Sequence, residues 1–375
     1  MKPCYFLCEM PSSELHQRKE IAVRTTIDLD FFIISKTGAN RQMYNSNMAT
    51  TIEEAQQYRQ QAEDNARNGQ FLLASLFVSR AIKAYTKLND SKALQELKHL
   101  SIEYRKKADK EYKHVSFSEQ VPREEVERII QVFSRYKYVG RNLMNIGSAR
   151  MFLQDFKKIE QFANDNQPLS MVLGNHSVTD QNGHLISDED FGNYWIASQY
   201  GIWQDYSTQM LYVILNKMKT EGKLSSGALL NYFKKGRHYT PDECRKLTVV
   251  FEALERNDFV SALYVLVPTF EAVFMRMSGE LGIDTVALGR GKPTTSQRTL
   301  STELLLSDGF IKVWGIDLCR QIDFVLFSPY GFRLRHEIAH GSIRAERCNL
   351  YTFAAVFYFY LRLMATVKVT PNKIT

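Results

Sequence analysis

The stretch "RLRHEIAHG", residues 333–341, brings an arginine and two histidines close enough in sequence to act on one substrate. It supports two incompatible chemistries. His336-Glu337-Ile338-Ala339-His340 is a literal HExxH. In that pattern two imidazoles one helical turn apart bind zinc, and the glutamate acts as base toward the metal-bound water. Arg335 and His340, with four residues between them, also suit metal-free cleavage of RNA. A histidine near neutral pKa can move the proton when a 2′-OH attacks the adjacent phosphate, a gain of roughly 10²–10⁴ in rate. The planar fork of an arginine can stabilise the charge that builds on the phosphorane.

Catalytic zinc needs three protein ligands and a water. After His340 the chain has no histidine or aspartate, and Glu346 is its only remaining acid. The longer HExxHxxGxxH pattern fails, because Ile343 stands at its glycine and Glu346 at its third histidine. No metal or other cofactor is expected, and zinc proteolysis is a distant third reading. Spacing alone does not complete the RNA chemistry either. Five residues turn a helix through about 140°, so the arginine must reach around, or a second copy of the motif must face the first.

These residues have to be positioned by helices. From residue 48 on, the apolar pattern is helical and the chain reads as all-α. Thr51-Ile52-Glu53-Glu54 is a capping box that opens a helix ending at Gly69. In "FLLASLFVSRAIKAYTKL", Phe71, Ala74, Val78, Ala81, Ile82 and Tyr85 fall near one stripe, and the following segment completes a helical pair. Gly69, Ala81 and Tyr85 faintly suggest a tetratricopeptide unit, but no second unit occurs. Pro122, at a first-turn position ahead of Glu124, Glu125 and Glu127, predicts a further helix. Residues 174–193 read as a small hairpin or exposed loop, with helices resuming around Trp203. Residues 24–38 could form one strand or hairpin.

Charge and cysteine usage narrow the setting. The 375-residue chain carries a net charge of +7, which fits a polyanionic partner without requiring one. Its five cysteines are scattered without a CxxC, so neither a disulfide framework nor a cysteine zinc site is expected, and a reducing cytoplasm is the simplest setting. The longest apolar run, 351–361, is too short for the roughly 20 residues of a membrane span and reads as a core or dimer-interface helix. "ALGRGKPTTSQRT" (287–299) looks like a phosphate-binding loop but has Val286 and Pro293 where that motif needs Gly and Ser or Thr. It reads as a solvated basic loop whose Arg290, Lys292 and Arg298 could guide RNA phosphates.

Residues 304–343, "LLLSDGFIKVWGIDLCRQIDFVLFSPYGFRLRHEIAHGSI", resemble the HEPN-like DUF4209 family. There a helix runs through a Pro/Gly turn into an "LRN-x-x-AHG" signature. The upstream "ALERNDFVSALYVLVPTFEAVFMRM" (253–277) is similar to that family's "SAL-x-x-L-x-P-x-x-E" helix. The likeness covers about 250–365 well and 50–250 loosely. It implies a C-terminal HEPN-like helical bundle (241–375), preceded by a helical regulatory or recognition region (48–240) and an N-terminal extension (1–47).

The same resemblance implies an R-x(4–6)-H endoribonuclease of toxin or antiviral-defence type. Such an enzyme works as a homodimer on RNA, leaves 2′,3′-cyclic phosphate ends, and is in some cases governed by an inhibitory or triggering protein partner. Arg335 and His340 match the motif pair. His336 stands where the family usually has asparagine, and Ser342 stands where a modified branch has tyrosine. Not every HEPN domain cleaves RNA, so a non-catalytic RNA- or protein-binding scaffold is the alternative. His336 is expected either to tune His340 and touch phosphate or to be solvated. Glu271 is expected either to orient Arg335 or to occupy a polar face. Glu337 is expected to face solvent or to pair with Arg333.

Overall fold

Thr51 starts the first helix by accepting the Glu54 backbone N–H at 3.1 Å. The Glu54 carboxylate does not close the expected box. It accepts the Tyr58 hydroxyl instead. A computed structural model describes residues 23–24, 27–29, 51–108, 115–117, 120–167, 178–179, 185–187, 191–236, 238–288 and 295–366. Among these the architecture is helical, with strands confined to short two-stranded antiparallel ribbons.

Helices α1 (Ile52–Arg67), α2 (Phe71–Lys87) and α3 (Ser91–Ala108) share a small core of their own. Ala74, Val78, Ala81 and Tyr85 are buried there, as their stripe predicts, together with Ser75. Residues 23–24 and 27–29 do form strands, but not a local hairpin: they pair with Gln120–Val121 and Val115–Phe117. That partner lies about ninety residues away, which no local signal in the sequence announces.

The second core is continuous from Phe133 to Met364 and spans both sides of residue 240. It is built by α4 (Arg123–Ser134), α5 (Val139–Ser148), α7 (Phe191–Thr220), α8 (Ser226–Lys235), α9 (Pro241–Glu255), α10 (Phe259–Glu280), α11 (Thr302–Leu305), α12 (Asp308–Trp314), α13 (Ile316–Leu326), α14 (Leu334–Ala339) and α15 (Leu350–Thr366), while α6 (Phe156–Asp165) packs through Ile159 in a separate small cluster with Tyr200 and Phe324. Three expectations need correction here. Pro122 is the N-cap of α4 and not its first helical residue. α7 begins at Phe191, a full three turns before Trp203. Within 287–299, Leu288 and Thr295 belong to a two-stranded ribbon, Val286–Leu288 with Thr295–Gln297, because β-branched residues flank the Gly/Pro-rich middle. The 178–187 stretch is a small hairpin, one of the two forms expected.

The centre of this core is the α10–α15 contact. Phe270 packs on Phe359 and Tyr360 with ring centroids 5.4 Å apart in each case, and the Tyr360 hydroxyl donates to the Leu266 carbonyl at 2.7 Å. A side chain of this size contributes about 1.5–3 kcal/mol when fully buried, so the two helices fix each other firmly. α10 is also long and apolar enough to cross a membrane by length and composition, although Ser261, Thr269 and Glu271 interrupt its apolar run. In the fold Leu263, Leu266, Phe270 and Phe274 on that helix are core residues. At the start of α9, Thr240 and Glu243 form a complete reciprocal capping box, and Glu243 also holds Arg276 of α10 at 2.8 Å.

Candidate functional site

The site is built on α14, a helix of six residues whose entry and exit are both tightly specified. At the entry, Gly331 belongs to the "SPYG" turn that closes α13. A Cβ there would lie 1.9 Å from the Phe324 carbonyl oxygen, so only glycine lets the chain pass. Phe332 then donates to that same carbonyl at 3.0 Å, and Arg333 turns the chain in the left-handed region at φ +55°. At the exit, Gly341 takes φ +64° and donates to Ile338, while Ser342 N–H donates to the Glu337 carbonyl at 2.8 Å. This is a glycine-terminated helix end, with left-handed geometry that a side chain would strain.

Helical rotation then distributes the side chains. Leu334 and Ile338 point into the core and anchor the helix. His336 and His340, one turn apart, lie on the outer face. Both are exposed, and their rings sit 4.3 Å apart at an angle of 52°. Arg335 is on one flank, where its Nε meets the Glu271 carboxylate of α10 at 3.4 Å. Its two terminal nitrogens are not part of that contact. Glu337 is on the other flank and is buried. Arg347 grips both of its oxygens, at 2.6 and 2.5 Å, and donates through its other terminal nitrogen to the Phe332 carbonyl at 2.9 Å.

Glu337 therefore corrects the expectation that it faces solvent: it is buried, and Arg347 is a partner that spacing did not suggest. Its carboxylate is a structural partner that ties α14 to the following segment. That occupation also weighs against the protease chemistry, since the base of an HExxH site must reach a metal-bound water. Among the described residues no group of three or more His, Cys, Asp or Glu side chains could hold a metal ion.

The remaining site residues divide. Arg335 meets Glu271 and His336 meets His340, on neighbouring faces of one short helix. Glu271 is in contact with Arg335, the arrangement that the first of its two readings requires. Arg290 and Lys292 lie outside the described residues. Arg298 is described and sits at the ribbon, paired with Asp284 at 3.4 Å between two exposed side chains, a contact of little energetic weight. One residue was missed: the Tyr264 hydroxyl of α10 lies 3.9 Å from where a Cβ at Gly341 would be, which brings an exposed aromatic ring to the edge of the site. Its only sequence signal is position, seven residues before Glu271 and so on the same helical face.

The electrostatics favour a neutral His336. Loss of water around its ring pushes its pKa below the usual histidine value, and the positive charges of Arg333 and His340 push it the same way. Compared with known protein families, curated proteins and solved structures, the chain finds no match.

Proposed function

We propose that this chain is a metal-independent endoribonuclease of toxin or antiviral-defence type, with Arg335 and His340 as its catalytic pair. The observation that carries the reading is the arrangement on α14: an oriented arginine on one flank and an exposed histidine pair on the adjacent face. His340 moves the proton of the attacking 2′-OH. The 2′-oxygen forms a bond to phosphorus, the bond from phosphorus to the 5′-oxygen breaks, and a proton is delivered to that leaving oxygen. The products are a 2′,3′-cyclic phosphate and a 5′-hydroxyl.

Arg335, with its fork aligned by Glu271, stabilises the phosphorane charge. His336 remains neutral near pH 7, so His340 can take up a proton without facing a second imidazolium 4.3 Å away. Two copies meeting across α14 would bring two such pairs to one cleft, and an inhibitory or triggering protein partner would restrain or release them.

The second reading, a non-catalytic RNA- or protein-binding scaffold, draws on the Glu271 contact, which a substrate phosphate must compete with for Arg335. Arg335→Ala and His340→Ala separate the two. For a nuclease, both variants keep the fold and the RNA affinity while cleavage is lost. A scaffold loses binding, or is unchanged.

A further inference from the structure

A second surface of the chain has the composition of a polyanion site. No Asp or Glu occurs between Arg128 and Gln154, and none between Gly222 and Pro241. The fold joins these two acid-free segments. A Cβ on Gly140 would lie 3.2 Å from the Tyr232 ring, and Lys223 donates to the Ser134 carbonyl at 2.7 Å. The loop "RYKY" (135–138) joins α4 to α5 on this surface. Arg135, Lys137 and Arg141 are exposed, and among the described residues none of them forms an ion pair.

The loop also presents aromatic rings. Tyr138 is 76% exposed, the most exposed of the large apolar or aromatic side chains among the described residues. Tyr136 has the Arg135 and Arg141 guanidinium carbons 4.8 and 5.8 Å from its ring centre, and Arg135 donates to its hydroxyl at 2.8 Å. The loop is built rather than loose. Buried Asn142 clamps the Tyr136 backbone from both sides, accepting its N–H at 3.0 Å and donating to its carbonyl at 2.8 Å. α5 begins here with no acidic residue in its first turn and no side-chain cap, so its positive end adds to the local field.

Cations alone would suit any polyanion. Rings fixed among guanidinium groups suit one whose units carry flat faces. We infer that the 135–141 loop is a binding site for single-stranded nucleic acid, with Arg135, Lys137 and Arg141 on the phosphates and Tyr138 stacking on a base. The inference does not rest on Arg335 or His340 being catalytic.

The test uses the full chain and a fluorescein-labelled 2′-O-methyl oligouridylate of about 12 nucleotides, within the span of known single-strand sites. Lacking a free 2′-OH, this probe cannot be cleaved by the proposed chemistry, so binding is read whether or not the chain is a nuclease. Arg135→Ala/Lys137→Ala/Arg141→Ala should weaken binding about tenfold or more near 0.1 M salt. It should also make the log Kd against log salt slope shallower by about 2, at roughly 0.7 per lost phosphate contact. Tyr138→Ala should weaken binding about fivefold or more and leave the slope unchanged. Both sets lie on exposed positions, and unchanged thermal midpoints would confirm that the fold is intact.

Binding by either variant within twofold of wild type would overturn the proposal. So would inorganic polyphosphate displacing the probe as well as unlabelled oligouridylate of equal charge, which would mean that the rings play no part. Capture of the protein on phosphatidylserine vesicles without binding of the oligouridylate would assign the surface to a membrane instead and overturn it equally.

Discussion

Arg347 closes on Glu337 through both carboxylate oxygens, at 2.6 and 2.5 Å, and makes the glutamate of an apparent HExxH motif part of the scaffold. The pair crosses from α14 to the turn before α15, and Arg347 reaches the Phe332 carbonyl as well. Glu337→Gln should therefore lower stability by about 2–3 kcal/mol, since it removes a charge-assisted contact from one guanidinium nitrogen to both carboxylate oxygens and leaves a partly buried guanidinium short of a charged partner. Urea denaturation measures this. A variant as stable as wild type would return Glu337 to the pool of functional candidates.

The Arg335–Glu271 contact is looser and partly solvated, so its worth lies in orientation more than in stability. Glu271→Gln should change stability by less than about 1 kcal/mol while lowering kcat for RNA cleavage more than it raises KM. Arg335→Lys should fail to restore cleavage, because an ammonium lacks the planar fork. Full activity in the lysine variant would show that only a positive charge is needed.

Gly341 ends α14 directly after His340. Gly341→Ala places a side chain in the left-handed region at a cost of about 1–2 kcal/mol. Space is not the obstacle, since the nearest atom to the new Cβ is the Tyr264 hydroxyl at 3.9 Å. Cleavage should fall further than stability does, because the strain is relieved by moving His340. Equal losses in both would mean that the histidine's position is not critical.

His336 should titrate below the ordinary histidine value of about 6.5. In the unfolded chain it takes up a proton first as pH falls, so its contribution destabilises the fold as pH drops through about 6.5 and levels off below the folded-state pKa. NMR titration of the imidazole protons reports the value directly. His340→Ala removes one of the positive neighbours and should move the His336 pKa upward. No movement, or a shift downward, would mean that the two rings do not sense each other.

Much of the fold was legible because it follows from local periodicity and capping. Thr51, Gly69 and the 71–85 stripe all stand where their residue types predict, and the run at 351–361 is a core helix. The pairing of Ile27–Leu29 with Val115–Phe117 was not legible, because nothing in either segment names the other. The site divides in the same way. Arg335, His336 and His340 are set by spacing within one short helix. The Glu337–Arg347 pair depends on a left-handed turn at Gly341 and a further loop, so spacing of ten residues says nothing about it. Arg290, Lys292 and Arg298 stand out in the Gly/Pro-rich 287–299 stretch because they fall within nine residues of one another. The "RYKY" loop drew no attention in the sequence, because its proximity to the second acid-free segment around Tyr232 is visible only in the fold.

The central claim is tested most directly by incubating total RNA with purified wild type and with His340→Ala, in EDTA, and determining the chemistry of any new ends. The account predicts cuts by wild type that carry 2′,3′-cyclic phosphate and 5′-hydroxyl ends, are unaffected by EDTA, and are absent with His340→Ala. Cuts that bear 5′-phosphates and vanish in EDTA, or that persist in His340→Ala, would contradict it.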